Sequence, residues 1–483
     1  MIPLTLAEIA EATGGRLVAV ADPTVVVDGP VEVDSRLAGP GGLFVAVPGE
    51  RVDGHDFAEA AVAAGVVAAL VQRPVPGVPC VVVDDPVVAL GRVATAVLAR
   101  SDAAVAGITG SSGKTTTKDL LAAVLAGAGE TVAPAGSFNN EVGLPLTVLR
   151  TTPTTRYVVL EYSARGVGHI ATLTAIAPPS YAAVLNVGTS HLGEFGSREA
   201  IAQAKGELVQ ALPETGVAVL NADDLAVAAM ADRTRARVVT VGESASADVR
   251  AEAVDVDEAG RASYELVVGD AVRGGPGRAR VTLQLVGEHQ VANSLAAAAL
   301  ALELGLDLDA VTRGLSTARA ASRWRMEVTE RPDGVTVVND AYNANPDSVR
   351  AALKALVTMA RGRRSWAVLG PMAELGESSG DEHDAIGRLA VRLDVDRLVV
   401  VGPEAGRLHA GAVLEGSWGN ESVHVPDVDA AVALLREELE PGDIVLVKAS
   451  RSARLERVAD ALLDPGPAPD PGTAGSATPE RSA

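Results

Sequence analysis

Apolar runs of strand length recur at residues 105–108, 157–160, 182–186, 217–220 and 238–241, with helical stretches such as 116–126 and 199–211 between them. Strands that alternate with helices pair in parallel, because each crossover helix returns the chain to the same end of the sheet. The fold class is therefore α/β, with a central sheet covered on both faces. Residues 248–286 break the pattern: their polar and apolar positions alternate around a Gly-rich turn, which predicts an antiparallel hairpin, and a long helix over 291–304 follows. The alternation resumes at 335–339, 365–369, 397–401 and 444–448. Ahead of it all, short strands at 16–20, 25–27, 43–47 and 81–84 surround an alanine-rich helix over 57–64. Three α/β domains are expected, over 1–102, 103–320 and 321–464, and residues 465–483, rich in Pro, Gly, Ala and Ser, read as a disordered tail.

Composition narrows the function classes. With Cys80 the single cysteine, no intramolecular disulfide can form, and a reducing compartment follows. Residues 1–11 lack the basic and apolar segments of a signal peptide, and the longest apolar run, 60–71, is shorter than the ~20 residues that span a bilayer. The chain thus reads as a soluble cytoplasmic protein without membrane insertion, and as a monomer. A formal net charge of −21 argues against a nucleic-acid partner, which needs a basic face. Only five lysines occur, Lys114, Lys118, Lys205, Lys354 and Lys448, against a much larger number of arginines. A lysine kept against such a bias can mark a need for amine chemistry that arginine cannot supply, although chance survival explains any one of them equally well.

The residues that carry chemistry gather at strand ends. Gly107-Ile108-Thr109-Gly110-Ser111-Ser112-Gly113-Lys114-Thr115 lies between a strand and a helix. Glycines let backbone N–H groups approach phosphate closely, and a helix N-terminus favours the negative charge. Lys114 would reach the terminal phosphates of ATP and Thr115 would ligate Mg²⁺. Gly107 stands one position too early for the strict P-loop spacing, and a Gly-rich turn with no ligand is the plainer alternative. Glu161 ends the strand 157–160 and His191 follows the strand 182–186, so both reach the sheet edge where such folds bind ligands. There they could hold metal ions, although either alone is more often a structural polar residue. Lys205, on the helix 199–211, reads most simply as a surface lysine paired with Glu207 or Glu199. Asn293 reads as part of a helix entry. A second constellation holds Arg325 and the run Asp340-Ala341-Tyr342-Asn343-Ala344-Asn345-Pro346-Asp347-Ser348, with Asp340 at a strand end and a turn before a helix starting near Ser348. Its amides and carboxylate suggest a binding loop.

Together these segments resemble the Mur ligase family, from about residue 33 to residue 458. The resemblance implies a small UDP-substrate domain, a central P-loop-type ATPase domain and a C-terminal Rossmann-like ligase domain, with ATP and Mg²⁺ as cofactors. Asp34-Ser35-Arg36 and residues 42–57 are similar to the family's uridine-nucleotide segment, and Ser35 and Arg36 are carried over as substrate-binding. Residues 109–117 resemble the family's ATP loop, which assigns Gly110, Ser111, Ser112, Gly113, Lys114, Thr115 and Thr116 to the nucleotide and accounts for the short spacing. The stretch Asn139-Asn140-Glu141-Val142-Gly143-Leu144-Pro145 resembles the one that meets the UDP-sugar, so Asn139 and Asn140 are expected there. The resemblance also implies that Glu161 and His191 bind Mg²⁺ with Thr115, and that Lys205 is carbamylated to hold a second Mg²⁺. Asn293, Arg325 and Asp340 would meet the adenosine and phosphates. The segment holding Asn343 and Asn345 resembles the branch that adds D-alanyl-D-alanine to UDP-MurNAc-tripeptide through an acyl phosphate. Catalysis would then fall to Lys114, His191 and Lys205. A relative adding a single amino acid, a folylpolyglutamate synthase, a plain ATPase or kinase, and a non-catalytic binding relative are the alternatives. Two departures stand out: Tyr162-Ser163 where Met-Gly is common, and Gln290 where Asn is common.

Overall fold

The computed structural model describes residues 1–49, 52–189, 192–416, 419 and 421–464. The expected α/β fold is observed, organised on three main sheets. In the largest, Thr131–Val132, Tyr157–Glu161, Ala104–Thr109, Tyr181–Val184, Val217–Asn221 and Arg237–Gly242 lie side by side and parallel. Successive side chains of these strands feed two cores. Val158 and Leu160 pack on the side of Leu144, Leu173 and Leu208, whereas Val159 packs with Leu120, Leu295 and Leu300. A strand buried on both faces has no polar alternation, which is why these segments read as continuous apolar runs.

The register places Leu160 opposite Gly107 and Val184 opposite Thr109, so the carboxyl ends of the parallel strands finish together. Residues 248–286 extend this sheet by three antiparallel strands, Val249–Val256, Arg261–Val268 and Gly277–Val286, where one hairpin was expected. The Gly-rich segment Gly269–Gly277 joins the second and third of them, and the tighter turn at Gly260, with φ of 76°, joins the first two.

The N-terminal sheet has five strands, Arg16–Val18, Cys80–Val82, Ala68–Val71, Leu43–Val45 and Val31–Glu32. Two helices there escape a reading by strand-length runs. Leu6–Thr13 starts at a capping box of Thr5 and Glu8, and Pro86–Leu98 starts at Asp85, whose side chain accepts from the N–H groups of Val87 and Val88. The second is apolar on most sides because it is an internal wall: Leu90, Val93 and Val97 share one core with Leu144 and Val148. Burying each such side chain contributes roughly 1.5–3 kcal/mol.

The C-terminal sheet runs Glu327–Glu330, Thr336–Asn339, Ile444–Lys448, Ser365–Leu369, Arg397–Val401 and Ser422–Val425, parallel except for its first strand. Among the described residues no helix is long and apolar enough to cross a membrane. Residues 465–483, expected as a tail, lie outside the described residues.

Candidate functional site

The carboxyl ends of the central strands and of the C-terminal sheet face each other across a cavity of about 710 Å³. Leu185, Asn186, Asn221 and Gly242 mark the ends of central strands in its wall, and Asp340 and Lys448 mark those of the C-terminal sheet. Between them runs the Gly-rich loop, and the helix Lys114–Ala126 starts directly from it, with Gly113 as N-cap at φ 81°. A Cβ on Gly113 would stand 2.2 Å from Asn293 Oδ1, so space and backbone conformation both require glycine. The loop is held open by Asn186, which accepts from Ser112 N–H through Oδ1 at 2.9 Å and donates from Nδ2 to Ser112 O at 3.2 Å. Lys114 Nζ donates to Gly110 O at 2.7 Å. Burial holds its ammonium below the ordinary lysine range, with Glu161 opposing and Arg325 adding to that shift. Helix N-terminus and a desolvated cation together make an anion seat. Gly113→Ala is expected to abolish ADP binding in a calorimetric titration while leaving the circular dichroism spectrum intact. Unchanged affinity would remove this loop from consideration as the nucleotide seat.

Glu161 is fully buried at the end of its strand. Asn139 Nδ2 donates to its Oε2 at 3.3 Å, while Oε1 has no hydrogen-bond partner among the described residues. A buried carboxylate oxygen left without a donor is costly unless something else satisfies it. Thr115 Oγ1, 3.0 Å from Ser137 Oγ, lies in the same cavity. Hard oxygen donors beside a phosphate seat suit a cation such as Mg²⁺, and these residues fit one. His191 lies outside the described residues.

Lys205 is not the surface lysine that its residue neighbours suggested. It is buried, on the helix Arg198–Gln210, and it has no hydrogen bond or ion pair among the described residues. Glu207, its expected partner, instead accepts from Gly168 N–H at 2.6 Å and Ala171 N–H at 2.9 Å, capping the helix His169–Ile176. Burial pushes the Lys205 amine well below the ordinary range, and the nearby Lys114 charge pushes it further.

On the opposite wall, Asp340 accepts from Lys448 Nζ at 2.5 Å and from Met326 N–H at 3.1 Å. Arg325 lies over the Tyr342 ring at 4.3 Å and donates to Ser137 Oγ at 2.8 Å, so it reaches from the C-terminal sheet to the hydroxyl beside Thr115. Asn345 caps the helix Pro346–Ala360: its Oδ1 accepts from Ser348 N–H at 2.8 Å. The helix thus starts at Pro346, two residues before the expected point, because proline at the first helical position needs no N–H acceptor.

The structure therefore brings most of the expected residues together. Ser111, Ser112, Gly113, Lys114, Thr115 and Thr116 line the cavity from the central side, with Asn139, Asn140, Glu161 and Asn293. Arg325, Asp340, Asn343 and Asn345 line it from the other. Ser35 and Arg36 are not in this wall; Arg36 is 85% exposed and paired with Asp34 at 2.5 Å. Asn186, Ser137, Tyr342 and Lys448 were not expected as site residues, although Lys448 and Asn186 each carry the legible signal of a polar side chain at a strand end.

Comparison with known proteins follows the same division. Residues 30–104 match the Mur ligase family catalytic domain, 108–301 the Mur ligase middle domain, and 324–451 the Mur ligase glutamate ligase domain. The UDP-N-acetylmuramoyl-tripeptide–D-alanyl-D-alanine ligase of Mycobacterium tuberculosis is 54% identical, with 96% of this chain and 98% of that one covered. The Escherichia coli ligase of the same name is 36% identical over 96% and 100%. Among solved structures, MurF from Acinetobacter baumannii superposes with a TM-score of 0.84 at 31% identity, covering 95% of this chain and 99% of that one. MurF ligase from Thermotoga maritima, solved in complex with ADP, gives 0.76 at 30% identity over 90% and 97%.

Proposed function

The chain belongs to the Mur ligase family, and on that premise we propose that it is an ATP-dependent ligase joining D-alanyl-D-alanine to UDP-N-acetylmuramoyl-tripeptide. The observation that carries this reading is the facing of the phosphate loop and the Asp340–Asn345 segment across one cavity. A nucleotide on the first would meet an acceptor brought by the second.

A carboxylate is a poor acyl donor to an amine. In the first step a carboxylate oxygen of the tripeptide attacks the γ-phosphorus of ATP and ADP leaves. In the second, the dipeptide amine attacks the acyl carbon, phosphate leaves, and the amine loses a proton to solvent or a nearby base. Lys114 and the loop N–H groups would orient and neutralise the transferring phosphoryl group. Asn293, Arg325 and Asp340 are assigned to the nucleotide, Arg325 by a cation stacked on Tyr342 and tied to the loop through Ser137. Asn139 and Asn140 are assigned to the UDP-sugar, and Asn343 and Asn345 to the dipeptide. Ser35 and Arg36 keep their proposed place on the uridine end, away from the chemistry. Thr115, Glu161, His191 and a carbamylated Lys205 would hold Mg²⁺, which when bound supplies positive charge against the phosphates. We read the enzyme as a cytoplasmic monomer, since ATP and a UDP-linked substrate are intracellular reagents and one chain already builds both walls of the cavity.

The test is phosphate release with ATP, Mg²⁺ and the UDP-tripeptide, with and without D-alanyl-D-alanine. Release that requires the dipeptide and yields a UDP-pentapeptide is expected. Release indifferent to the dipeptide would point to an ATPase, and release driven by a single amino acid to another branch of the family.

A further inference from the structure

Two stretches that follow the strand Tyr181–Val184, residues 187–189 and 192–193, are each held by the C-terminal sheet's loops. At the first, Asp347, in the first turn of the helix Pro346–Ala360, accepts from Thr189 N–H through Oδ2 at 3.3 Å. The fit is close: a Cβ on Gly188 would stand 2.2 Å from the same oxygen. Asp347 Oδ1 accepts from Arg350 at 3.3 Å, and Arg350 also donates to Glu382 at 2.8 Å, which fixes the carboxylate's direction. At the second, Gly193 N–H donates to Glu374 O at 3.1 Å. A Cβ on Gly193 would meet Gly376 N at 2.6 Å and Gly376 Cα at 2.9 Å. The two backbones touch with no side chain between them. The first stretch is also tied inward, because Gly188 N–H donates to Ser111 Oγ at 2.9 Å in the phosphate loop.

We propose that Asp347 and the glycine contact Gly193–Gly376 form the latch that seats the C-terminal unit on the phosphate loop, making Asp347 a positioning residue for the ligation step. The proposal rests on the ligase reading above. An acyl phosphate survives only where water is kept out, and the amine must arrive within near-attack distance. Asp347 borders the cavity, and the contacts it makes run to Thr189 and Gly188 and through Gly188 to Ser111, which is the route by which it would position the site. Its side chain is 43% exposed, so replacing it removes little packing. The Gly193 neighbours that a Cβ would strike all belong to the C-terminal unit, so alanine there would hold the two units apart without disturbing either interior.

The test compares Asp347→Ala, Asp347→Asn and Gly193→Ala with the wild-type enzyme, measuring kcat at saturating substrates, ADP affinity by calorimetry, and melting temperature. Asp347→Ala and Gly193→Ala should lower kcat by about 10²-fold, the cost of a misplacement near 1 Å. Melting temperature should stay at the wild-type value, ADP affinity should fall far less than kcat because the phosphate loop itself is untouched, and Asp347→Asn, which keeps an acceptor oxygen for Thr189, should return most of the rate. Wild-type kcat in both Asp347→Ala and Gly193→Ala would overturn the latch, and so would a loss of ADP affinity parallel to the loss of rate. If the wild-type enzyme forms no product, the functional reading fails instead. The latch is then judged by small-angle scattering of wild type and Gly193→Ala saturated with ADP, where identical profiles overturn it.

Discussion

Lys114→Met should leave a folded protein whose dipeptide-dependent phosphate release is about 10³-fold slower than wild type, in line with losing a preorganised cation at a transferring phosphoryl group. Lys114 stands at the start of a helix, and its ammonium is tied to Gly110 O. Methionine keeps the length of the stem and removes only the charge. Arginine would not substitute, because its planar fork is larger than the amine that the Gly110 carbonyl receives. The stability readout has a definite sign. Burial lowers the Lys114 pKa, so the folded state binds its proton less readily than the unfolded chain does. The unfavourable charge is fully present below the lowered pKa and is relieved as pH rises from that value toward the ordinary 10.5. The methionine variant should therefore melt no lower than wild type at neutral pH, with its relative advantage shrinking in the alkaline range. A variant that melts far below wild type at pH 7, or one that retains its rate, would remove Lys114 from the proposed role.

Lys205→Met should lower kcat by about 10²–10³-fold, on the scale of removing one charged group from a preorganised site. It should also abolish a carbamate carbon signal that wild type shows when equilibrated with ¹³C-labelled carbon dioxide. The reasoning starts from burial. A buried amine without a carboxylate partner disfavours its proton, so more of it is neutral near pH 7 than for a surface lysine. Neutral amine and CO₂ combine to give a carbamate and a proton, which replaces a cation by an anion near the Lys114 charge. At fixed dissolved CO₂ the carbamate signal should grow as pH rises toward the lowered amine pKa. An absent signal in active wild-type enzyme would overturn carbamylation. A normal rate in the methionine variant would remove Lys205 from catalysis altogether.

Much of this site was legible in the linear sequence, and the parts that were not have identifiable causes. The phosphate loop, Glu161 and Asp340 were found because each combines a diagnostic residue type with a strand end, and a parallel sheet turns strand ends into one edge. The departure beside Glu161 put the metal site in doubt through Ser163, larger than the glycine common there, and Tyr162 is the other half of it. Its phenol instead runs into the core to donate to Ala177 O at 2.5 Å, passing Gly107, where any Cβ would stand 2.7 Å from the ring. Gly107 thus belongs to the strand and serves Tyr162, which is why it falls outside the loop's spacing. Gln290 likewise looked like a lost nucleotide contact. It is buried and accepts from Asn293 Nδ2 at 2.7 Å, holding the amide that packs on Gly113. Neither arrangement has a sequence signature, because each depends on a partner more than two residues away.

The sequence by itself determined the α/β class, the strand-loop-helix phosphate seat and the position of most polar groups that line the cavity, since local periodicity and strand ends are properties of neighbouring residues. Tertiary structure alone decided that Lys205 is buried without its expected partner, that Ser137 links Thr115 to Arg325, and that Asp347 reaches Thr189. Burial and long-range pairing arise only when separate sheets pack, and a lysine next to two glutamates in the chain carries no record of which way its helix will face.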